Sequence, residues 1–206
     1  MPSSYSKFKY KDLENLGLKC RLNNLFHNID IPHFEPSELF KLRLEKRSSK
    51  KLATEKSKSE NITVPILDEL ETINQKIIAV YSGYLFDVDK TKGLRGECDF
   101  ILAKDIRSYD VNYPIIQIVE AKKHDIEDLG VPQCAAQLIG ARFFNQKNGI
   151  ELKKIYGCAT TGKIWQFLVL EGNTIYVDEK QYYIGNLPEL LGAFQFIIDY
   201  YKRELV

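Results

Sequence analysis

One segment constrains the fold of this chain more than any other. Residues 115–122 read IIQIVEAK, and only Gln117, Glu120 and Lys122 interrupt the apolar run. A strand that is apolar on both faces is typical of the centre of a sheet covered by helices on both sides. The segment therefore predicts a central, buried β-strand.

The segments around it complete a mixed pattern of strands and helices. Further strands are predicted at residues 80–88, 97–103, 155–161, 164–170 and 174–177. Helices are predicted at residues 131–147 and from Pro188 onward, because apolar side chains recur there at a spacing of three or four. This order of elements predicts an α/β protein, with a mixed β-sheet and helices packed on its faces.

The N-terminal quarter has a different texture. Residues 1–54 are predicted to form a helical, partly basic segment ahead of a domain at residues 55–206. Ser37 is predicted to cap a helix, and a second helix is predicted at residues 53–74, in which Pro65 indicates a kink or a late start. A length of 206 residues favours one compact unit over two small domains.

Basic residues are concentrated in one stretch, although the net charge of the chain is only +1. Residues 41–58 contain eight Lys or Arg against Glu45 and Glu55, a local charge of +6. Such a stretch is typical of a surface that contacts phosphate. It is equally typical of a solvated helix face with ion pairs one turn apart.

Several classes of protein are excluded. No apolar run approaches the roughly 18 residues of a transmembrane helix, and the N-terminus lacks the apolar core of a signal peptide. The sequence thus predicts a cytoplasmic protein with no membrane partner. The four cysteines are scattered without a C-x-x-C pair, which predicts free thiols and no zinc site.

Three residues on neighbouring strands carry the chemistry. Glu120 and Lys122 point to the same face of their strand, and Asp99 lies near the start of the preceding one. If these strands pair antiparallel, the two carboxylates meet. Adjacent carboxylates stay ionised together when a cation lies between them, and Mg²⁺ suits such oxygen ligands. With a lysine to orient water or stabilise phosphate, the set predicts metal-dependent phosphodiester hydrolysis.

These residues also match a known pattern. GECD at residues 96–99, followed by VEAK at 119–122, resembles the D…E-x-K core of the PD-(D/E)XK nuclease superfamily. Residues 55–60 resemble its upstream acidic helix. Residues 130–137 look like the glutamine helix of its exonuclease and type I restriction branch, although Gln137 replaces a frequent tyrosine. TTGKIW at residues 160–165 is similar to the T-x-G-x-x-W hairpin of the type I restriction nuclease domain. The resemblance covers roughly residues 55–180.

The resemblance implies a restriction endonuclease-like α/β fold, a mixed central β-sheet flanked by α-helices. It implies that Asp99, Glu120 and the carbonyl of Ala121 bind Mg²⁺, for which Mn²⁺ can substitute, and that Lys122 positions the attacking water. The other implied residues are Glu60 as the upstream acid (with Glu69 and Glu71 as alternatives), Gln133 at the catalytic centre, and Gln137 and Lys123 in nucleic-acid binding.

The implied activity is that of a stand-alone deoxyribonuclease in restriction, defence or repair, with DNA as its partner. The family also allows a homodimer, or a place in a larger restriction or defence complex. The alternative is a catalytically silent nuclease-fold protein that binds nucleic acid or a partner protein. Each residue has a structural interpretation too: Asp99 can cap a strand, Glu120 and Lys122 can form an ion pair, and Trp165 can belong to the core.

Overall fold

The computed structural model describes residues 2–27, 29, 31, 32, 34–105 and 110–205, without the side chain of residue 204. Seven strands form one mixed sheet in the order β1-β7-β6-β5-β4-β3-β2. The strands are β1 (Lys19–Asn23), β2 (Ile78–Leu85), β3 (Glu97–Lys104), β4 (Ile115–Ala121), β5 (Lys154–Thr160), β6 (Ile164–Glu171) and β7 (Thr174–Tyr183). The predicted α/β fold is therefore confirmed.

Helices flank this sheet. They are α1 (Tyr10–Asn15), α2 (Glu38–Ser48), α3 (Glu55–Lys58), α4 (Val64–Ile73), α5 (Val131–Lys147), α6 (Leu187–Tyr200) and α7 (Lys202–Leu205). Two π-helical turns, Ser59–Thr63 and Ile126–Gly130, lead into α4 and α5. Within the described ranges, no helix combines the length and apolar character that a membrane crossing needs.

The central strand lies where the sequence predicts it. β4 pairs antiparallel with β3 and parallel with β5, and all seven of its residues are buried. β1 and β7 also pair in parallel, and the remaining neighbours are antiparallel. The continuous apolar run is thus explained by helices that cover the sheet on both faces.

Each face of the sheet has its own core. On one face, α4 and α6 supply Ile66, Leu70 and Phe194, which pack with Phe167 and Trp165 of β6. The Nε1 atom of Trp165 donates to the carbonyl of Gly162 at 3.0 Å, so this indole belongs to the core. The other face is covered by α5 and by Tyr5, Phe8 and Leu13 of the N-terminal segment.

The N-terminal segment is not only helical. β1 lies within the stretch that the sequence predicts as helix and extends the sheet beside β7. Tyr5, Phe8 and Leu13 are buried against the face that α5 covers. The strand shows little periodicity, because four of its five residues are exposed at the sheet edge, and it is held by its backbone pairing.

Two predicted elements differ in extent. The helix expected at residues 53–74 is divided into α3, the first π-helical turn and α4, with Pro65 in the first turn of α4. Proline has no N–H to donate, and the first turn of a helix is where that loss costs least. β7 continues to Tyr183, six residues beyond the predicted strand.

Candidate active site

An acidic centre forms where β3 begins and β4 ends. The antiparallel register pairs Phe100 with Val119, so Asp99 and Glu120 are the next residues on each strand. The Oδ2 atom of Asp99 accepts a hydrogen bond from the backbone N–H of Ala121 at 2.7 Å. The structure thus brings together the two carboxylates that the sequence places at these strand ends.

Lys122 completes this centre. Its Nζ atom donates to Oε1 of Glu120, and also to the carbonyl of Ala121 at 3.1 Å. The side chains are 14% exposed for Lys122 and 2% for Glu120, so the ion pair has little contact with water. We call Asp99, Glu120, Lys122 and the Ala121 carbonyl the acidic centre.

Burial and charge shift the acid–base properties of all three side chains. Burial, together with the negative charge of Asp99, raises the pKa of Glu120 to about 8. Burial also raises the pKa of Asp99, although the Ala121 N–H and Lys122 oppose this. For Lys122, burial favours the neutral form, but attraction and hydrogen bonding to Glu120 outweigh it and the pKa is raised. Lys122 is therefore an ammonium ion that compensates the carboxylates.

The glutamine of α5 that contacts the centre is Gln137. Its Nε2 atom donates to Oε2 of Glu120 at 2.7 Å and lies 3.5 Å from the carbonyl of Glu97. Its Oε1 atom is buried without a hydrogen-bond partner among the described residues. Because Gln137 is fully buried, it has no surface with which to contact nucleic acid. Its role here is to position Glu120.

Gln133 occupies a different position from the one expected. It lies on α5 one turn before Gln137 and is 7% exposed. Among the described hydrogen bonds, none joins Gln133 to the acidic centre. Of the two glutamines, it is thus Gln137 that reaches the centre, because the helix turns its side chain onto β4.

Of the carboxylates in residues 55–60, the one that lies near the acidic centre is Glu55, whereas the sequence suggests Glu60. Glu60 is 59% exposed, and its carboxylate lies 3.9 Å from Lys56. By contrast, the Oε2 atom of Glu55 accepts from the N–H of Lys123 at 2.9 Å, and its charge acts on both Asp99 and Lys122. Thr54 caps α3 and so makes Glu55 its first residue, a capping signal that is readable in the sequence.

The two alternative acids serve other parts of the fold. Glu71 accepts from the N–H of Val80 at 2.9 Å and so holds the start of β2. Glu69 accepts from the backbone of Ser37, while burial raises its pKa. These contacts account for both carboxylates without the acidic centre.

Several basic residues bond to the elements that flank the acidic centre. Lys123 is exposed, and its carbonyl accepts from Nζ of Lys58 at 2.6 Å. At the end of α2, Arg47 donates to the carbonyl of Glu60 at 3.3 Å, and Lys50 donates to Asn61 at 3.1 Å. These bonds connect the basic stretch at residues 41–58 to the π-helical turn that follows α3 and to Lys123.

The donor set is compatible with a hard cation. The described part of the chain contains no group of three or more His, Cys, Asp or Glu side chains suited to a metal ion. The centre offers two carboxylates and one carbonyl. Mg²⁺ usually takes one or two protein carboxylates and completes its shell with water and substrate oxygens, so these residues fit it.

Comparison with known proteins adds no family to these observations. No protein-family model matches the chain, and no curated protein matches it either.

Proposed function

We propose that this protein is a Mg²⁺-dependent nuclease that hydrolyses phosphodiester bonds of DNA. The observation that carries this proposal is the acidic centre itself. Two carboxylates from adjacent strands share a largely buried site with one ammonium group, beside a basic surface. The resemblance of residues 96–99 and 119–122 to the nuclease core supports the same activity.

The residues of the chain have separate roles in this reaction. Asp99, Glu120 and the Ala121 carbonyl would hold the cation, which when bound polarises the phosphate and lowers the pKa of its water. The raised pKa of Lys122 keeps its Nζ atom protonated, so it donates hydrogen bonds to water or to a phosphate oxygen and does not act as a base. Gln137 donates a hydrogen bond to Glu120 and so fixes the orientation of that carboxylate.

Charge supports a polyanionic substrate. Lys50, Lys56 and Lys123 are exposed near the elements that bear Glu55 and Lys122. A basic surface of this kind attracts the phosphate backbone and makes binding dependent on salt. DNA in particular is proposed from the resemblance to restriction nucleases.

Cleavage assays test the proposal directly. The parent protein is incubated with supercoiled, linear and single-stranded DNA in Mg²⁺, in Mn²⁺ and in EDTA. We expect cleavage that depends on metal and is lost, by a factor of about 100 or more, in Asp99→Asn and Lys122→Met. Asp99→Asn but not Lys122→Met should also weaken Mn²⁺ binding, measured by calorimetry.

A matched lysine variant controls for the loss of charge. Lys153→Met removes an exposed lysine at the opposite end of β5 from Thr160, and it should cleave like the parent. If Lys122→Met cleaves as fast as Lys153→Met, the acidic centre is not the active site. If the parent binds DNA but never cleaves it, the protein is a silent binding protein.

A further inference from the structure

A groove lies on the α5 side of the sheet, next to the acidic centre but separate from it. It has a volume of about 580 Å³ and runs between α1, the start of α5 and the strands β1, β7 and β6. Cavities of this size commonly hold small organic ligands. Gly130 lies between the groove residues Glu127 and Val131, and a Cβ added to it would lie 3.5 Å from Cγ of Lys122, so the groove and the acidic centre adjoin at this turn.

One buried side chain offers an unused hydrogen-bond acceptor to the groove. The register of β6 and β7 shifts between Gln166 and Leu168, which leaves residues 178–180 as a bulge. Gln166 is 4% exposed and directs Nε2 to the carbonyls of Asp178 and Lys180 in this bulge. The described side-chain hydrogen bonds of Gln166 all use Nε2, and none involves Oε1. Gln166 lines the groove, so this acceptor is available to a ligand.

The remaining walls combine an aromatic ring with acidic groups. Tyr10 is 36% exposed, and its hydroxyl donates to the carbonyl of Glu127 at 2.8 Å, which holds the ring at the rim. Four acidic residues line the groove against a single Arg21, and they are Glu14, Glu127, Asp178 and Glu179. Phosphate is therefore disfavoured here, whereas a flat ring that carries an amino donor fits the ring and the acceptors.

We propose that this groove binds an unpaired nucleobase with an exocyclic amino group, cytosine or adenine, of the nucleic acid cleaved at the acidic centre. The inference rests on the proposed nuclease function. Gln166 pairs with Ala159, which pairs with Glu120, so the two sites are two strand spacings apart. That is about 10 Å, which a strand of a few nucleotides can span, because successive nucleotides are at least roughly 3.4 Å apart. A strand bound at the centre can thus place a neighbouring base in the groove.

Cys20 provides a test that does not depend on cleavage. It lines the groove and is half-buried, whereas Cys98, Cys134 and Cys158 are buried, so a neutral alkylating reagent should modify Cys20 first. The rate is measured at alkaline pH, because burial and Glu14 raise the pKa of this thiol. Cytidine or adenosine at twice its Kd should slow alkylation about threefold by mass action. Uridine, which lacks the amino group, should protect much less.

Variants outside the acidic centre test which groove residues hold the base. Protection, expressed as the ratio of rates without and with nucleoside, should persist in Tyr10→Phe and be lost in Tyr10→Ala. Gln166→Met, if its near-ultraviolet circular dichroism matches the parent, should lose the preference for cytidine and adenosine over uridine. Either pattern supports a base held by ring stacking and by the free acceptor.

Several outcomes overturn the proposal. No protection by any nucleoside, equal protection by uridine, or equal protection by spermidine each excludes the proposed base site, and the last identifies a simple cation site. Nucleosides carry no phosphate, so the two proposals fail separately. Protection without DNA cleavage contradicts the nuclease function alone, and DNA cleavage without protection contradicts the groove alone.

Discussion

At the residue scale, the acidic centre confines two carboxylates and one ammonium group with little access to water. The pKa of Glu120 is raised to about 8, first by burial and then by Asp99. An unfolded chain ionises this carboxyl near its ordinary pKa of 4.5. The folded protein binds more protons between these values, so its free energy of unfolding falls as the pH rises from about 4.5 to about 8.

Replacement of Glu120 should therefore stabilise the protein while it removes activity. In EDTA above about pH 8, we expect Glu120→Gln to raise Tm by about 3 °C, the size of about 1 kcal/mol in a chain of this length. At acidic pH the variant and the parent should melt together. Melting curves across this pH range check the prediction, with the exposed Glu151→Gln as control. A parent Tm that does not fall relative to Glu120→Gln contradicts it.

Gln137 is predicted to act through Glu120. The change Gln137→Leu removes the donor to Oε2 of Glu120, so the carboxylate loses both its orientation and a bond that lowers its pKa. We expect Mn²⁺ affinity and kcat to fall by about 10- to 100-fold, with KM for DNA nearly unchanged. The pH at which activity rises should move upward.

A second glutamine on the same helix is the matched control for this variant. Gln146→Leu changes an exposed residue near the end of α5 and should leave these quantities unchanged. Equal effects of the two substitutions would indicate a general loss of helix packing instead of a positioning role.

At the scale of elements, the short helix α3 lies at one edge of the acidic centre. Thr54 and Ser57 form reciprocal hydrogen bonds at its start, and Glu55 then bonds to the N–H of Lys123. The helix has only four residues, so its position depends on this cap and on the π-helical turn that follows. Any disturbance of the cap should reach Lys122 through Lys123.

The caps of α3 and α2 offer a paired test. Thr54→Ala and Ser37→Ala each remove one side-chain acceptor from a helix start, so each should lower the free energy of unfolding by about 1 kcal/mol. Only Thr54→Ala should also lower kcat at saturating DNA. Urea unfolding and steady-state kinetics measure the two effects. Unchanged kcat in Thr54→Ala would show that the Glu55 contact does not support catalysis.

At the scale of the whole molecule, the N-terminal quarter is part of the fold. β1 extends the sheet, and side chains from this quarter enter both cores. The buried ones include Tyr5, Phe8, Leu13, Leu18, Phe26, Phe40 and Leu44. At about 1.5–3 kcal/mol for each large side chain, their combined loss is about 10–20 kcal/mol, which is comparable to or larger than the roughly 5–15 kcal/mol that stabilises a typical domain.

Residues 55–206 alone should therefore not fold, even though the resemblance to nucleases begins at residue 55. We expect the truncated chain to lack cooperative thermal unfolding and near-ultraviolet circular dichroism, both of which the full chain should show. A cooperative transition in the fragment would instead support an independent domain at residues 55–206.

Periodicity within the sequence accounts for most of the elements. The helix predicted at residues 131–147 matches α5, and the buried run at 115–122 matches β4 to within one residue. Asp99, Glu120 and Lys122 could be placed together because strand alternation and antiparallel pairing are short-range rules. These features depend on local periodicity and on the pairing of consecutive strands, so they can be predicted from the sequence.

Other features depend on contacts between distant parts of the chain. Glu55 and Lys123 are 68 residues apart, and β1 meets β7 from the opposite end of the sequence. The choice of Gln137 over Gln133 depends on how α5 is rotated against β4, and the groove exists only because α1 and the β7 bulge lie across from each other. The sequence by itself determined most of the elements and, given antiparallel pairing of β3 and β4, the acidic pair. Only tertiary packing decided which residues complete the site, because side chains at such separations meet only once the sheet and its helices have assembled.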